Sequence, residues 1–284
     1  MVRERPLRGT PVKVAVAQLE PHIGDKERNL ARAVDAIDEA AAQGAQLVVL
    51  PELCNSGYVF ESLQEARALA EPVPGGDTTA RLLARCAATG VVVVAGIAER
   101  AGDVLFNSAV VLGPDGHLGT YRKLHLWDQE NRWFRPGDLG VPLIDTPVGR
   151  IATIVCYDGW FPECFRIASL GSADIVCIPT NWVPIPGQAV DEPAMATLLC
   201  QSAAHVNSIP VAAADRVGVE RGQPFIGQSL IVSHTGWPLA GPASAEREEI
   251  LVADVDLGEA RRARRWNEFN DPVADRRRDV YGSL

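Results

Sequence analysis

A glutamate, a lysine and a cysteine lie far apart in this chain, and each directly follows a strand-like segment. In Arg150-Ile-Ala-Thr-Ile-Val-Cys156-Tyr-Asp-Gly-Trp-Phe-Pro-Glu163, Ile151, Ile154 and Val155 read as a short buried strand. Gly159 and Pro162 stop it. Pro162 suits the first turn of a helix through Phe165, Ile167 and Leu170, which Gly171 would end. Cys156 then falls on a sharp strand-to-helix turn, its sulfur near a helix N-terminus whose dipole favours thiolate, the nucleophilic form. Glu52 follows the apolar Leu47-Val-Val-Leu50, and Lys123 follows the outgoing arm of a hairpin that turns at Pro114-Asp-Gly116. Singly, each has a bland reading: a small buried thiol, a solvated loop acid, a surface lysine. Together, in the order Glu, Lys, Cys, they are three strand-end groups that one sheet edge could present in common.

On these segments the chain resembles the carbon–nitrogen hydrolases of the nitrilase superfamily, whose constellation is Glu-Lys-Cys. The matching positions are Glu52 in Leu-Pro-Glu, Lys123 in Tyr-Arg-Lys-Leu-His, and Cys156 in Cys-Tyr-Asp-Gly-Trp-Phe-Pro-Glu. A second family glutamate matches Glu130, shortly before Pro136-Gly137. The similarity runs from Val12 to about Leu257. It implies that Glu52 takes the thiol proton of Cys156 as general base, while Lys123 and the Tyr157 backbone N–H hold the oxyanion. Glu52 would then protonate the leaving nitrogen and later activate the water that hydrolyses the thioester. Glu130 would orient the substrate nitrogen or steady Lys123. Four ionisable groups in one pocket should titrate as a unit.

Tyr58, Trp127, Trp133, Trp160 and Trp182 lie near these motifs and read equally as pocket wall or as core. Asn181-Trp182 follows the strand-like 174–179 and so reaches the sheet mouth. Substrate contact is assigned to Tyr58, Trp127, Tyr157 and Trp182. Asp158 and Glu163 read as supports of the turn and helix after Cys156, His125 as a packed histidine, and Cys54 and Cys164 as bystanders. The extra arginine pairing expected of hydrolases for N-carbamoyl amino acids is not seen; Arg132, Arg166 and Arg216 are the arginines near the site, and an arginine could grip a carboxylate bidentately.

The elements that must position these groups alternate. Strands are expected at 12–19, 46–50, 91–97, 107–112, 174–178, 209–213, 229–232 and 250–255, with helices at 25–43, 78–88 and 191–206. Asp25 fits the N-cap of the first helix and Gly44 its stop. Segments 60–74 and 182–190 read as loops that set the pocket's depth. Hairpins mixed with crossovers suggest α/β sheets covered by helices. The resemblance sharpens this to a four-layer α-β-β-α sandwich that associates through a helix face, as a homodimer or larger homo-oligomer. At 284 residues without a linker or internal repeat, the chain reads as one domain over 1–284, with 258–284 a tail for subunit contacts.

A net charge of −9 argues against nucleic acid as a partner, and no run approaches membrane-spanning length. Six scattered cysteines with one required free thiol suggest a cytoplasmic location. With no CxxC, HExxH or Gly-rich nucleotide loop, neither a metal nor a cofactor is expected. Tyr157-Asp158 stands where true nitrilases usually carry Trp-Glu, so the first expectation is hydrolysis of a small primary amide to acid and ammonia. An N-carbamoyl amine hydrolase similar to N-carbamoylputrescine amidase comes second. Nitrile hydrolysis, acyl transfer to an amine and a binding role follow.

Overall fold

The computed structural model describes residues 11–187 and 193–281. In chain order the strands are β1 (Val12–Gln18), β2 (Leu47–Val49), β3 (Val92–Ala101), β4 (Val104–Gly113), β5 (Gly116–Arg122), β6 (Leu143–Thr146) and β7 (Gly149–Thr153). They continue as β8 (Ile175–Pro179), β9 (Val211–Ala214), β10 (Val219–Glu220), β11 (Gln223–Pro224), β12 (Leu230–Val232), β13 (Pro238–Ala240) and β14 (Glu249–Val255). The helices are α1 (Lys26–Ala42), α2 (Leu63–Leu69), α3 (Asp77–Thr89), α4 (Glu130–Trp133), α5 (Pro162–Leu170), α6 (Met195–Asn207), α7 (Leu257–Arg262) and α8 (Arg278–Tyr281).

Twelve strands form two six-stranded sheets, ordered β14-β1-β2-β3-β4-β5 and β13-β12-β9-β8-β7-β6. The centre of each is parallel, β1 to β3 in one and β7 to β9 in the other, with antiparallel strands outside. Strand alternation explains the layering. Val14, Val16, Val49 and Val94 of the first sheet meet Ile151, Ile175, Cys177 and Ala212 of the second in the central core. Their neighbours Ala15, Ala17, Val48 and Val93 point outward, under Leu30 and Ile37 of α1 and Leu82 and Cys86 of α3. On the far side Ala152, Val176 and Ala213 carry Phe165 of α5 and Cys200 and Ala204 of α6. These are the four layers expected from the resemblance.

Helix boundaries follow local chemistry. Asp25 caps α1 by accepting from the Arg28 N–H, and Gly44 behind it takes a left-handed φ of 84°. Pro162 opens α5. Segment 60–74 is not simply loop: it contains α2, capped by the Ser62 hydroxyl on the Glu65 N–H. The expected helix start at 191 lies outside the described residues, and α6 begins at Met195. From α7 onward the chain packs back on the second sheet and its helices. Arg261 pairs with Asp174, Arg264 donates to the Ala173 carbonyl, and the Trp266 indole donates to Ser208. Among the described residues no helix is long and apolar enough to cross a membrane.

Candidate active site

Glu52 follows β2 and is wholly buried. Its backbone passes so close to Gly96 of β3 that a Cβ there would sit 2.4 Å from the Glu52 Cα, so glycine is what lets this loop close. The loop is also tied across to the second sheet. The Asn181 side-chain amide donates to the Glu52 carbonyl at 3.0 Å, and the Glu52 N–H to the Thr180 carbonyl at 3.4 Å. Lys123 follows β5, anchored by its N–H on the Asn107 carbonyl of β4. Its ammonium, also buried, lies 2.7 Å from Oε1 of Glu52 and 2.7 Å from Oε1 of Glu130 at the head of α4. The Asn107 amide donates to Glu52 at 2.6 Å and to Glu130 at 3.4 Å, and the Tyr58 hydroxyl donates to Glu130 at 2.7 Å.

Burial drives the electrostatics of this cluster. Glu52 is pushed up to about 7, by burial first and by Glu130 next, against the pull of Lys123. Burial alone would lower Lys123, but Glu130 and Glu52 outweigh it and hold the ammonium well above its ordinary range. Burial also raises Cys156 well above the usual thiol value, and Glu52 adds to the rise. Both effects favour the thiol form of Cys156. The other oxygen of Glu52, Oε2, is buried without a hydrogen-bond partner. That is an acceptor held out of water, the arrangement a general base needs.

The helix-dipole expectation for Cys156 is replaced by something tighter. Cys156 opens a 3-10 turn, Cys156–Trp160, with a left-handed φ of 48°, and α5 starts only at Pro162. Asp158 organises this turn. One carboxylate oxygen accepts from the Val155 N–H at 3.0 Å and the Tyr121 hydroxyl at 2.6 Å. The other accepts from the His125 N–H at 2.9 Å and its ring Nδ1 at 2.7 Å. Tyr121 and His125 flank Lys123, so one buried carboxylate fastens the lysine segment to the cysteine turn. Asp158→Ala would strand four donors, those of Val155 and Tyr121 buried. It is expected to lower stability by about 3 kcal/mol and turnover by about 100-fold. Asp158→Asn should fall between, as thermal melts and ammonia release would show.

Trp127, Tyr157, Trp160, Asn181, Trp182, Val183 and Ile185 line a narrow pocket with Cys156. Tyr157 packs edge-on against Trp127, ring centres 4.9 Å apart. Trp182 is buried, and its N–H donates to Asp215 at 2.8 Å. Three of the four residues assigned to substrate contact thus meet here. Tyr58 is not among these lining residues; its hydroxyl reaches the cluster through Glu130. Trp133 packs with Leu53 and Phe60 instead. His125 is the packed histidine expected, stacked on Phe161 with ring centres 3.6 Å apart. None of the three arginines lines the pocket. Arg132 is exposed on α4, Arg166 bonds the Val206 and Pro272 carbonyls, and Arg216 is buried beneath Phe225. Sequence reasoning missed Asn107, Asp215 and Glu220. Asn107 had one signal, a polar side chain opening the apolar run Asn107-Ser-Ala-Val-Val-Leu112.

The sequence profile of the carbon-nitrogen hydrolase family matches residues 13–265. The chain belongs to this family, in the nitrilase superfamily. It is 43% identical over 271 residues to a nitrilase of Pyrococcus abyssi, covering 95% of this chain and 99% of that one. With the N-carbamoylputrescine amidase of Solanum lycopersicum it shares 32% over 277 residues, 92% of this chain and 90% of the relative. Among solved structures, a carbon–nitrogen hydrolase from Helicobacter pylori G27 superposes with a TM-score of 0.83 at 30% identity, covering 96% and 97% of the two chains. An amidase from Nesterenkonia sp. gives 0.78 at 27%, covering 96% of each. A mutant of the Nesterenkonia sp. AN1 amidase carries the acetamide moiety of fluoroacetamide added covalently at its active-site cysteine.

Proposed function

We propose that the protein is an amidase using a Glu52-Lys123-Cys156 triad, which hydrolyses a small primary amide to acid and ammonia. The observation that carries this reading is the buried Glu52–Lys123–Glu130 cluster acting on a protonated Cys156. Glu52 takes the thiol proton as sulfur bonds to the amide carbon, and the carbonyl electron pair moves onto oxygen. Lys123 has three N–H donors, of which Glu52 and Glu130 occupy two, so the third serves the oxyanion together with the Tyr157 backbone N–H. Protonated Glu52 passes its proton to nitrogen, the C–N bond breaks, and ammonia leaves a thioester. Water gives a proton to Glu52, attacks the acyl carbon, and expels the sulfur, which regains that proton. Glu130 holds Lys123 and faces the leaving nitrogen.

The pocket favours a small neutral acyl group. Among the described residues its wall beyond Cys156 is aromatic and aliphatic apart from the Asn181 amide, with no charged side chain to grip a carboxylate or an ammonium. The N-carbamoyl amine reading is supported by the names of relatives at 31–33% identity, and the nitrile reading by the Pyrococcus abyssi relative. Ammonia release across aliphatic amides, N-carbamoyl amines and nitriles decides among them. Short amides are expected to be turned over at least about tenfold faster than charged carbamoyl compounds. A preference for carbamoyl compounds or nitriles would reject the amide reading. A reducing, cytoplasmic setting suits the free thiol. The exposed Ile167, Leu170, Leu198 and Val206 of α5 and α6 suit a homo-oligomer.

A further inference from the structure

Behind Glu130 the structure carries a second arrangement that the proposed chemistry leaves unused. The Glu220 carboxylate is buried, and its Oε2 accepts from two successive backbone N–H groups, Tyr58 and Val59, each at 2.7 Å. Its Oε1 accepts from the Arg216 guanidinium at 3.1 Å. Arg216, itself buried, donates to the Pro21 carbonyl at 2.6 Å and lies 4.0 Å over the Phe225 ring. Phe225 meets the Tyr58 ring edge-on, ring centres 5.8 Å apart. The loop closes on Glu220 through Gly57, whose φ is 82°. A Cβ there would sit 2.8 Å from Glu220 Oε1 and 2.4 Å from the Ile23 backbone. Tyr58 is therefore held at its backbone by Glu220 and at its ring by Phe225. Its hydroxyl is left with one partner, Glu130, and Glu130 holds Lys123.

We propose that Glu220 is a positioning residue for the reaction. It fixes the Tyr58 loop so that the tyrosine hydroxyl aims Glu130, and with it Lys123, at the reacting atoms beside Cys156. Two buried hydrogen bonds from consecutive amides to one charged oxygen are a stiff anchor, because each is charge-assisted. The lever is short: Glu220 to the Tyr58 backbone, one side chain to its hydroxyl, one carboxylate to the Lys123 ammonium. A displacement of about 1 Å at Tyr58 would be passed to Glu130 with little loss, and misplacement on that scale costs up to about 100-fold in rate. The inference rests on the reading of Glu130 and Lys123 as active-site groups.

The test separates position from charge and does not depend on knowing the substrate. Cys156 labelling by iodoacetamide, a small amide-bearing electrophile, is followed by mass spectrometry in wild type, Glu220→Asp, Glu220→Gln, Tyr58→Phe and the Tyr58→Phe/Glu220→Asp double variant. Aspartate keeps the negative charge near Arg216 but draws both carboxylate oxygens back by one methylene, so the two amides lose their acceptor. It is expected to slow labelling about tenfold with a small change in melting temperature. Glutamine keeps a carbonyl acceptor for the amides but leaves Arg216 unpaired. It should melt at lower temperature yet label within about threefold of wild type at a temperature where it is folded. Tyr58→Phe should slow labelling about as much as Glu220→Asp, and the double variant no more than the slower single one. Wild-type labelling by Glu220→Asp, or a double-variant effect equal to the product of the singles, overturns the proposal. Ammonia release surviving in a Cys156→Ala variant would defeat the proposed Cys156 thioester mechanism instead, and would leave the coupling measured by labelling as it stands.

Discussion

Cys156→Ala is expected to abolish ammonia release from every substrate the wild type accepts, by at least about 10,000-fold, because the acyl group then has no atom to bond to. Folding should survive. The side chain is small and 6% exposed, and the left-handed φ of 48° at this position strains alanine no more than cysteine. Thermal melts are expected to agree within about 1 kcal/mol. Cys156→Ser is the more searching variant. It keeps a hydroxyl in place of the thiol, but a serine hydroxyl gives up its proton far less readily, and a base near 7 is poorly matched to take it. Its turnover is expected to fall by at least about 1,000-fold, still above the alanine variant. Retention of more than about 1% of wild-type turnover by the alanine variant would remove Cys156 from the mechanism and with it the thioester.

What the sequence revealed of this site, and what it hid, follows from how each residue is held. Glu52 and Lys123 follow strands of the first sheet and Cys156 follows β7 of the second, so the site lies between two sheets and not on the one sheet edge expected. Singly each read blandly; their shared place after strands, their order and the resemblance to the Glu-Lys-Cys constellation marked them. Asn107, Asp215 and Glu220 act only through residues distant in sequence: Glu52 and Glu130 for the first, Trp182 for the second, Tyr58 and Val59 for the third. No local periodicity encodes such pairs. Tyr58 shows the same limit from the other side. Its proximity to Glu52 suggested a wall residue, while its orientation is set by Glu220 and Phe225, more than 160 positions away. The short edge strands β6 (Leu-Ile-Asp-Thr) and β13 (Pro-Leu-Ala) escaped notice because, unlike the equally short β2 and β12, they carry no continuous apolar β-branched run. The helix-dipole expectation missed for a different reason. A helix N-terminus was inferred directly after Cys156, but Asp158 draws the chain into a 3-10 turn first, and burial raises the thiol.

With the thiol form of Cys156 favoured, the proposed mechanism gives Glu52 its most demanding task, and Glu52→Gln should expose it. Glutamine preserves the shape and still accepts from Asn107, while Lys123 retains Glu130. What disappears is the base. Turnover is expected to fall by roughly 100- to 10,000-fold. The pH profile distinguishes this from damage to the fold. The active form of Glu52 is the carboxylate, and its pKa is raised to about 7, so kcat/KM in the wild type should fall as pH drops through about 7. That limb reports the coupled cluster, Glu130 and Lys123 included, rather than one isolated carboxyl. In the glutamine variant it should flatten, leaving a slow rate nearly independent of pH between about 5.5 and 7.5. Stability must move consistently. A carboxyl whose pKa is higher folded than unfolded binds its proton more tightly in the native state. Its contribution is therefore greatest below the ordinary carboxylate value of 4.5 and declines as pH rises toward 7. The wild type should lose melting temperature across that window, and Glu52→Gln should lose less. A variant that kept the acid limb in kcat/KM, or that melted with the wild type's pH dependence, would place the titrating base elsewhere. Glu130 would be the first carboxylate to examine, because it shares Lys123 with Glu52 and is the other acid acting on Cys156.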